Sequence, residues 1–339
     1  MFVRHTRILV VLILCGLLFS CKGNKSESED THLPARAVSD NATLFPIRFR
    51  PKWQTQAQFA GIYMALNKGF YAQHGLDVQL QSVLLTEPAV DTLLQGHSDI
   101  VHIDLLNALD LCRETSKIVN IAQINQKNSV YLVGKKSRGI NSLEDFKGKR
   151  LGLWRSGSNM ATRLFLAKKN IPMEIINIDW SINLFTQNAV DVINAMDYNE
   201  YHQILQAGIA QDDLFIAEQQ ELGLTVPDEG FYTTPQFYKA HAKECKAFVK
   251  ATLDGWLYAF SHVEETLDLV LKMMQDDNIR ANRAHQLWML NHMKEAIMPN
   301  TSEMGILKQR DYEDAMDLMI EYQDFPRRIS YEEFYPNAE

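Results

Sequence analysis

The hydrophobic pattern is sharpest between Ile47 and Leu80. Ile47, Phe49 and Trp53 bracket a short β-prone run that Pro51 closes, and Phe59, Ile62, Ala65 and Leu66 then recur at helical spacing. Gly69 stops that helix, because glycine enters the left-handed C′ conformation without a Cβ penalty. Gly75 turns the chain again, and Leu76, Val78 and Leu80 alternate as a second strand. The unit is βαβ, and such units build parallel sheets with ligand sites beyond the strand C-terminal ends.

The alternation continues downstream. A helix over 87–95 turns Ala89, Val90, Leu93 and Leu94 inward and ends at Gly96. Strands follow at 97–104, 118–121 and 130–133, with a helix at 105–111. A second series places strands at 151–154, 175–178, 192–196 and 214–217, and helices at 160–169, 184–190 and from Tyr198 to Gly208. Residues 225–234 cross back, and Pro235 starts a helix. The amphipathic run 245–262 sets Phe248, Ala251, Gly255, Trp256, Ala259 and Phe260 on one side. Helices around 266–274, 283–296 and 312–322 follow, with core stripes of Leu287, Trp288 and Asn291, and of Tyr312, Ala315, Met316 and Met319. The expected architecture is α/β with two lobes joined by two crossovers, lobe one over 44–131 and 232–339 and lobe two over 132–231. A ligand would lie in the cleft between them.

A chain of 339 residues has room for two such lobes, and its net charge of −8 argues against nucleic acid and against charge-driven binding to anionic membranes. Arg4 and Arg7 precede an apolar run, Ile8 to Phe19, too short to span a bilayer. The sequence Leu18-Phe19-Ser20-Cys21 resembles a bacterial lipobox, which implies a signal peptide over 1–20 and a diacylglycerol anchor on Cys21. An ordinary secretory signal is the alternative. Residues 21–43 are polar and read as a flexible tether. Cys112 and Cys245 read as buried free thiols, although an oxidising envelope would permit their pairing.

No nucleophile elbow, P-loop, zincin helix or paired Cys-x-x-Cys occurs. His97, Asp99, His102 and Asp104 form the densest histidine cluster, but strand-end histidines are usually satisfied polar groups, and His285 and His292 read as a solvated helix face. No metal and no cofactor is expected. The loop from Trp53 to Gln58 offers an aromatic face and amides, suited to a flat neutral ligand, or else forms a plain turn. Trp53 would stack on a heteroaromatic ring. Gln58 and Asp104 belong to the C-terminal edges of lobe one. Trp154, Ser156, Ser158 and Asn159 belong to lobe two, in a loop whose N–H groups favour oxygen-rich ligand atoms. Glu200, and Asp228 and Glu229 at the second crossover, would accept hydrogen bonds from an exocyclic amine. Arg155 is the cation this reading places nearby.

Lys52-Trp53-Gln54, Gln58-Phe59-Ala60-Gly61, Lys68-Gly69-Phe70-Tyr71 and Gly75-Leu76-Asp77-Val78 resemble the opening of substrate-binding proteins of the NMT1/thiamine-pyrimidine-like family. Ser142-Leu143-Glu144-Asp145-Phe146-Lys147-Gly148-Lys149 resembles the start of the second lobe in type II periplasmic-binding-protein folds, and Ala251 to Ala259 again resembles the family. The resemblance implies that fold, and a monomeric, lipid-anchored, extracytoplasmic subunit that serves an ABC permease and ATPase. It implies a small heteroaromatic ligand, a thiamine pyrimidine precursor first, with riboflavin, a sulfonate or a sensing role as alternatives. The eukaryotic synthase relatives consume a histidine and a lysine of their own. Those positions fall at about Asn107 and Ile103, and the cysteine-rich run would fall at 225–230. All three are missing, which argues for binding without chemistry.

Overall fold

Strand β1 (Phe45–Arg50), its following helix (Ala60–Asn67) and β2 (Leu76–Leu80) form the expected βαβ unit in a computed structural model, which describes residues 43–83, 87–155, 159–179, 181–220 and 222–337. The expected signal segment, Cys21, nearly all of the expected tether, Ser156 and Ser158 lie outside the described residues. Alternation in β1 buries Ile47 and Phe49, and Gly69 takes φ +70°, ending the helical segment as its sequence position requires.

Among the described residues eight more strands complete two sheets: β3 (Ile100–Asp104), β4 (Val119–Gln123), β5 (Val130–Lys135), β6 (Arg150–Trp154), β7 (Glu174–Ile178), β8 (Val192–Met196), β9 (Leu214–Glu218) and β10 (Glu229–Thr233). The sheet orders are β2-β1-β3-β10-β4 and β7-β6-β8-β5-β9. In each sheet four strands run in one direction, and the fourth in order, β10 or β5, is antiparallel to both its neighbours and reached from the other lobe. Residues 124–129 and 219–228 make the two crossings. Strand β8, Val-Ile-Asn-Ala-Met, is buried throughout, as a parallel strand covered on both faces must be.

The long helix Pro235–Ser261 carries the chain back over the first sheet, bending at His241 (φ −136°, ψ 37°). It crosses Ala60–Asn67 closely enough that a Cβ on Gly255 would lie 2.1 Å from the Gly61 carbonyl oxygen. Cys112 and Cys245 are buried free thiols.

Three expectations need correction, the first being that Leu94, expected to face inward, is 43% exposed. The helix expected over 184–190 is a single turn, Asn183–Thr186, because Asn188 adopts φ +61° and breaks the repeat. On Arg283–Ile297 the buried stripe is His285, Gln286, Met289, Leu290 and Met293 rather than Leu287, Trp288 and Asn291, and Leu287 is 36% exposed. The physical cause is the turn Ala57–Phe59, which this helix covers. The Ala57 N–H donates to Gln286 Oε1 (2.8 Å) and the Gln58 N–H to Met289 Sδ (3.2 Å). Polar positions face inward there because buried backbone donors need acceptors. His285 is consequently buried, not part of a solvated face.

Candidate functional site

Register brings the key groups to one edge. β1 ends at Arg50, so Lys52 and Trp53 emerge past its C-terminus, and β3 ends at Asp104. β10 starts at Glu229, which pairs directly with Asp104 across the antiparallel ladder. The second sheet supplies Trp154 at the end of β6 and, just past β8, Tyr198 and Glu200.

Lys52 sits at the centre. Its Nζ donates to Asp104 Oδ1 at 2.6 Å and to Glu229 Oε1 at 2.8 Å. Glu229 is fully buried and also accepts from Gln58 Nε2 (2.7 and 2.9 Å) and from the Tyr198 hydroxyl (3.1 Å). His102 Nε2 stands 3.7 Å from Glu229 Oε2. Burial acts against the Lys52 charge, but Asp104, Glu229 and Asp228 outweigh it and raise its pKa, so the ammonium persists. Burial, then the charge of Asp104, holds the Asp228 carboxyl well above the usual range despite Lys52. Burial lowers His102 to about 4, leaving it neutral. Burial also lifts Glu200 to about 7, opposed by the Met196 N–H at 2.9 Å, while Asn199 Nδ2 donates to it at 2.6 Å.

A cavity of about 290 Å³ opens beside this cluster, touching Lys52, Trp53, Asp104 and Asn107 of the first lobe and Asn159 of the second. Trp53 meets Trp154 edge to face across the lobes, ring centroids 6.3 Å apart, and the Trp154 indole N–H is fixed on the Asn194 carbonyl at 2.9 Å. Asn107 Nδ2 donates to Asp104 Oδ2 at 3.1 Å. Of the residues named from sequence, Trp53, Asp104 and Asn159 line this cavity. Gln58, Asp228, Glu229 and Glu200 lie deeper, bonded to protein partners.

Sequence reasoning missed Lys52 as the charge centre, and with it Tyr198 and Asn107. Lys52 stood inside the motif that carried the family resemblance, which was the available signal. Arg155 is not the site's cation: it is exposed and paired with Asp179 at 3.1 Å. Asp104, Asp228 and Glu229 could hold a cation, their oxygens lying within 4.8 Å of one another, and the Lys52 ammonium already contacts two of them. The four-residue cluster weighed from sequence is not gathered, since Asp99 turns to Arg48 at 2.7 Å.

The sequence model described as NMT1/THI5 like matches residues 56–266. A Haemophilus influenzae protein named for thiamine biosynthesis is 27% identical over 231 residues, 63% of this chain and 68% of that one. A Bacillus subtilis protein named as a binding protein, YtlA, is 23% identical over 230 residues, 65% of this chain and 68% of that one. Among solved structures, the alkanesulfonate-binding protein SsuA from Xanthomonas axonopodis bound to MOPS superposes with a TM-score of 0.64 at 14% identity, covering 86% of this chain and 97% of that one. The fold is therefore that of the periplasmic binding proteins, two α/β lobes around a cleft.

Proposed function

The chain belongs to the NMT1/THI5-like family, and on that premise we propose that it is the extracytoplasmic substrate-binding subunit of an ABC importer, capturing a small amine-bearing heteroaromatic ring of the thiamine-pyrimidine type. One observation carries the ligand class: a single buried lysine faces Asp104, Asp228 and Glu229 at the cavity edge. A site with more carboxylates than cations favours a ligand that donates hydrogen bonds, such as an exocyclic amine, and repels a sulfonate. Asp104 would accept from the amine, Trp53 would cover the ring, and Asn107 and Asn159 would satisfy ring nitrogens. The cavity size supports a one-ring ligand, since about 290 Å³ lies at the lower end of the roughly 300–1,000 Å³ typical of ligand pockets. A three-ring flavin fits it poorly. The N-terminal lipid anchor on Cys21, the Ser156 and Ser158 contacts and the partnership with a permease and ATPase belong to the same proposal, as does the absence of turnover.

Thermal melting tests it. A hydroxymethyl-aminopyrimidine at a hundredfold excess over its Kd adds about 2.7 kcal/mol, a shift of several degrees. Trp53→Ala removes that gain. No shift with aminopyrimidines, together with a clear shift for an alkanesulfonate or riboflavin, overturns the ligand assignment.

A further inference from the structure

Helix Glu200–Gln206 of the second lobe meets helix Arg283–Ile297, whose Met289, Leu290, Met293 and Ile297 join the core of the first. The junction is built from imidazoles around one indole. His202 stacks on Trp288 with ring centroids 4.4 Å apart at 5°, and His292 stacks on the same indole at 4.4 Å and 20°. The Trp288 indole N–H donates to the Asp197 carbonyl at 2.9 Å, just past β8. His202 Nδ1 stands 2.8 Å from His285 Nδ1.

The neighbouring amides set the proton pattern. Asn199 Nδ2 donates to Glu200 Oε1, so Asn199 Oδ1 is the acceptor and takes the Gln203 amide at 2.8 Å. His285 Nε2, 3.0 Å from that same oxygen, therefore carries the hydrogen. Neutral His285 then has a bare Nδ1, to which His202 Nδ1–H donates. A second proton on His285 sets N–H against N–H across the junction or, where His202 moves its hydrogen to Nε2, leaves a charged imidazolium buried between the lobes.

From this geometry we infer that His202, His285 and Trp288 form an inter-lobe latch, closed while His285 is neutral and released when it is protonated, so that acid loosens the clamp on its ligand. The inference depends on lobe closure and not on which ligand is held. Burial, then His202, lowers His285 to about 4, and burial and His292 lower His202. An imidazole freed to water titrates near 6.5. The open form thus binds protons more readily. The closed-form advantage is complete above about 6.5 and is lost as pH falls toward 4. At pH 5.5 His285 alone shifts the open-to-closed ratio about tenfold. The other titratable and charged groups at the junction are Glu200, Tyr201, His292 and Asp197, with Lys127 and Glu295 near Asp197. Glu200 and Asp197, both lifted to about 7 by burial, act in the opposite sense. The decisive quantity is accordingly a difference between wild type and a variant that cannot titrate.

Energy transfer between dyes on p-azidophenylalanine placed at the exposed Gln79 and Gln211 reports the closed fraction of the ligand-free protein. Between pH 7.5 and 5.5 the wild type opens about tenfold more than His285→Gln, which keeps the donor to Asn199 without titrating. Trp288→Ala lowers the closed fraction at both pH values. Equal pH dependence in wild type and His285→Gln overturns the inference, as does a Trp288→Ala protein that closes as well as wild type. Histidine NMR of the wild type needs no variant: a His285 signal that protonates near 6.5 while transfer stays constant overturns it too.

Discussion

Replacing Lys52 by methionine removes the one cation that, among the described residues, holds the buried carboxylates together. Its Nζ lies 2.6 Å from Asp104 and 2.8 Å from Glu229. At an effective dielectric of about 20, each contact is worth roughly 6 kcal/mol before desolvation. Burying the ammonium cancels most of that, but removing one partner of a buried pair leaves the other uncompensated, and the net loss is about 3–5 kcal/mol. Asp104, Asp228 and Glu229, with oxygens within 4.8 Å of one another, would then repel at neutral pH. Asp228, already held high by burial and then by the charge of Asp104, is the group that takes a proton, and losing Lys52 raises its folded-state pKa further. A carboxyl raised in the folded state contributes stability that is present below its unfolded value, near 4, and lost as pH rises through the folded value. Lys52→Met should therefore be destabilised most at pH 8 and least near pH 5. Urea unfolding of both proteins at the two pH values measures this. A deficit below about 1 kcal/mol, or one equal at both pH values, refutes the charge-balance reasoning.

The strands were legible either from continuous burial, as in β3, β4 and β8, or from alternation, as in β1 and β2. Val192–Met196 matches its sequence reading at both ends, and β6 begins one residue early. Gln58, Asp104, Glu200, Asp228 and Glu229 could be named singly from their places at strand ends and crossovers. Their grouping could not, because Lys52 and Glu229 stand 177 positions apart and meet only through the Asp104–Glu229 register. A lysine in a loop reads as solvated, since nothing local announces that three carboxylates surround it. The His285 face failed for a related reason. Periodicity identifies an apolar stripe, and here the inward stripe carries Gln286 to serve a donor on a distant turn and His285 to serve an acceptor on the facing lobe. Long-range polar satisfaction decided both of these misses, whereas the shortened helix at Asn183–Thr186 turned on the local conformation of Asn188.

Two further predictions concern packing and titration. Gly255→Ala gains about 1 kcal/mol of helix propensity, yet its Cβ would sit 2.1 Å from the Gly61 carbonyl and 2.8 Å from the Ala65 Cβ. Backbone cannot yield as a flexible side chain can, so overpacking wins and the melt shows a net loss of about 2 kcal/mol. Glu200→Gln tests the buried carboxyl that burial lifts to about 7. Its wild-type contribution is present below 4.5 and is lost as pH rises through 7. The variant cannot titrate, so it lacks that decline. Its amide must still turn an N–H toward the Met196 N–H or the Asn199 amide, a loss that does not change with pH. The stability difference, variant minus wild type, should rise from pH 5 to pH 8 by on the order of 2–3 kcal/mol. A difference that stays flat over that range would mean that Glu200 ionises as easily in the fold as in water, and its place between β8 and the inter-lobe histidines would then have no electrostatic consequence.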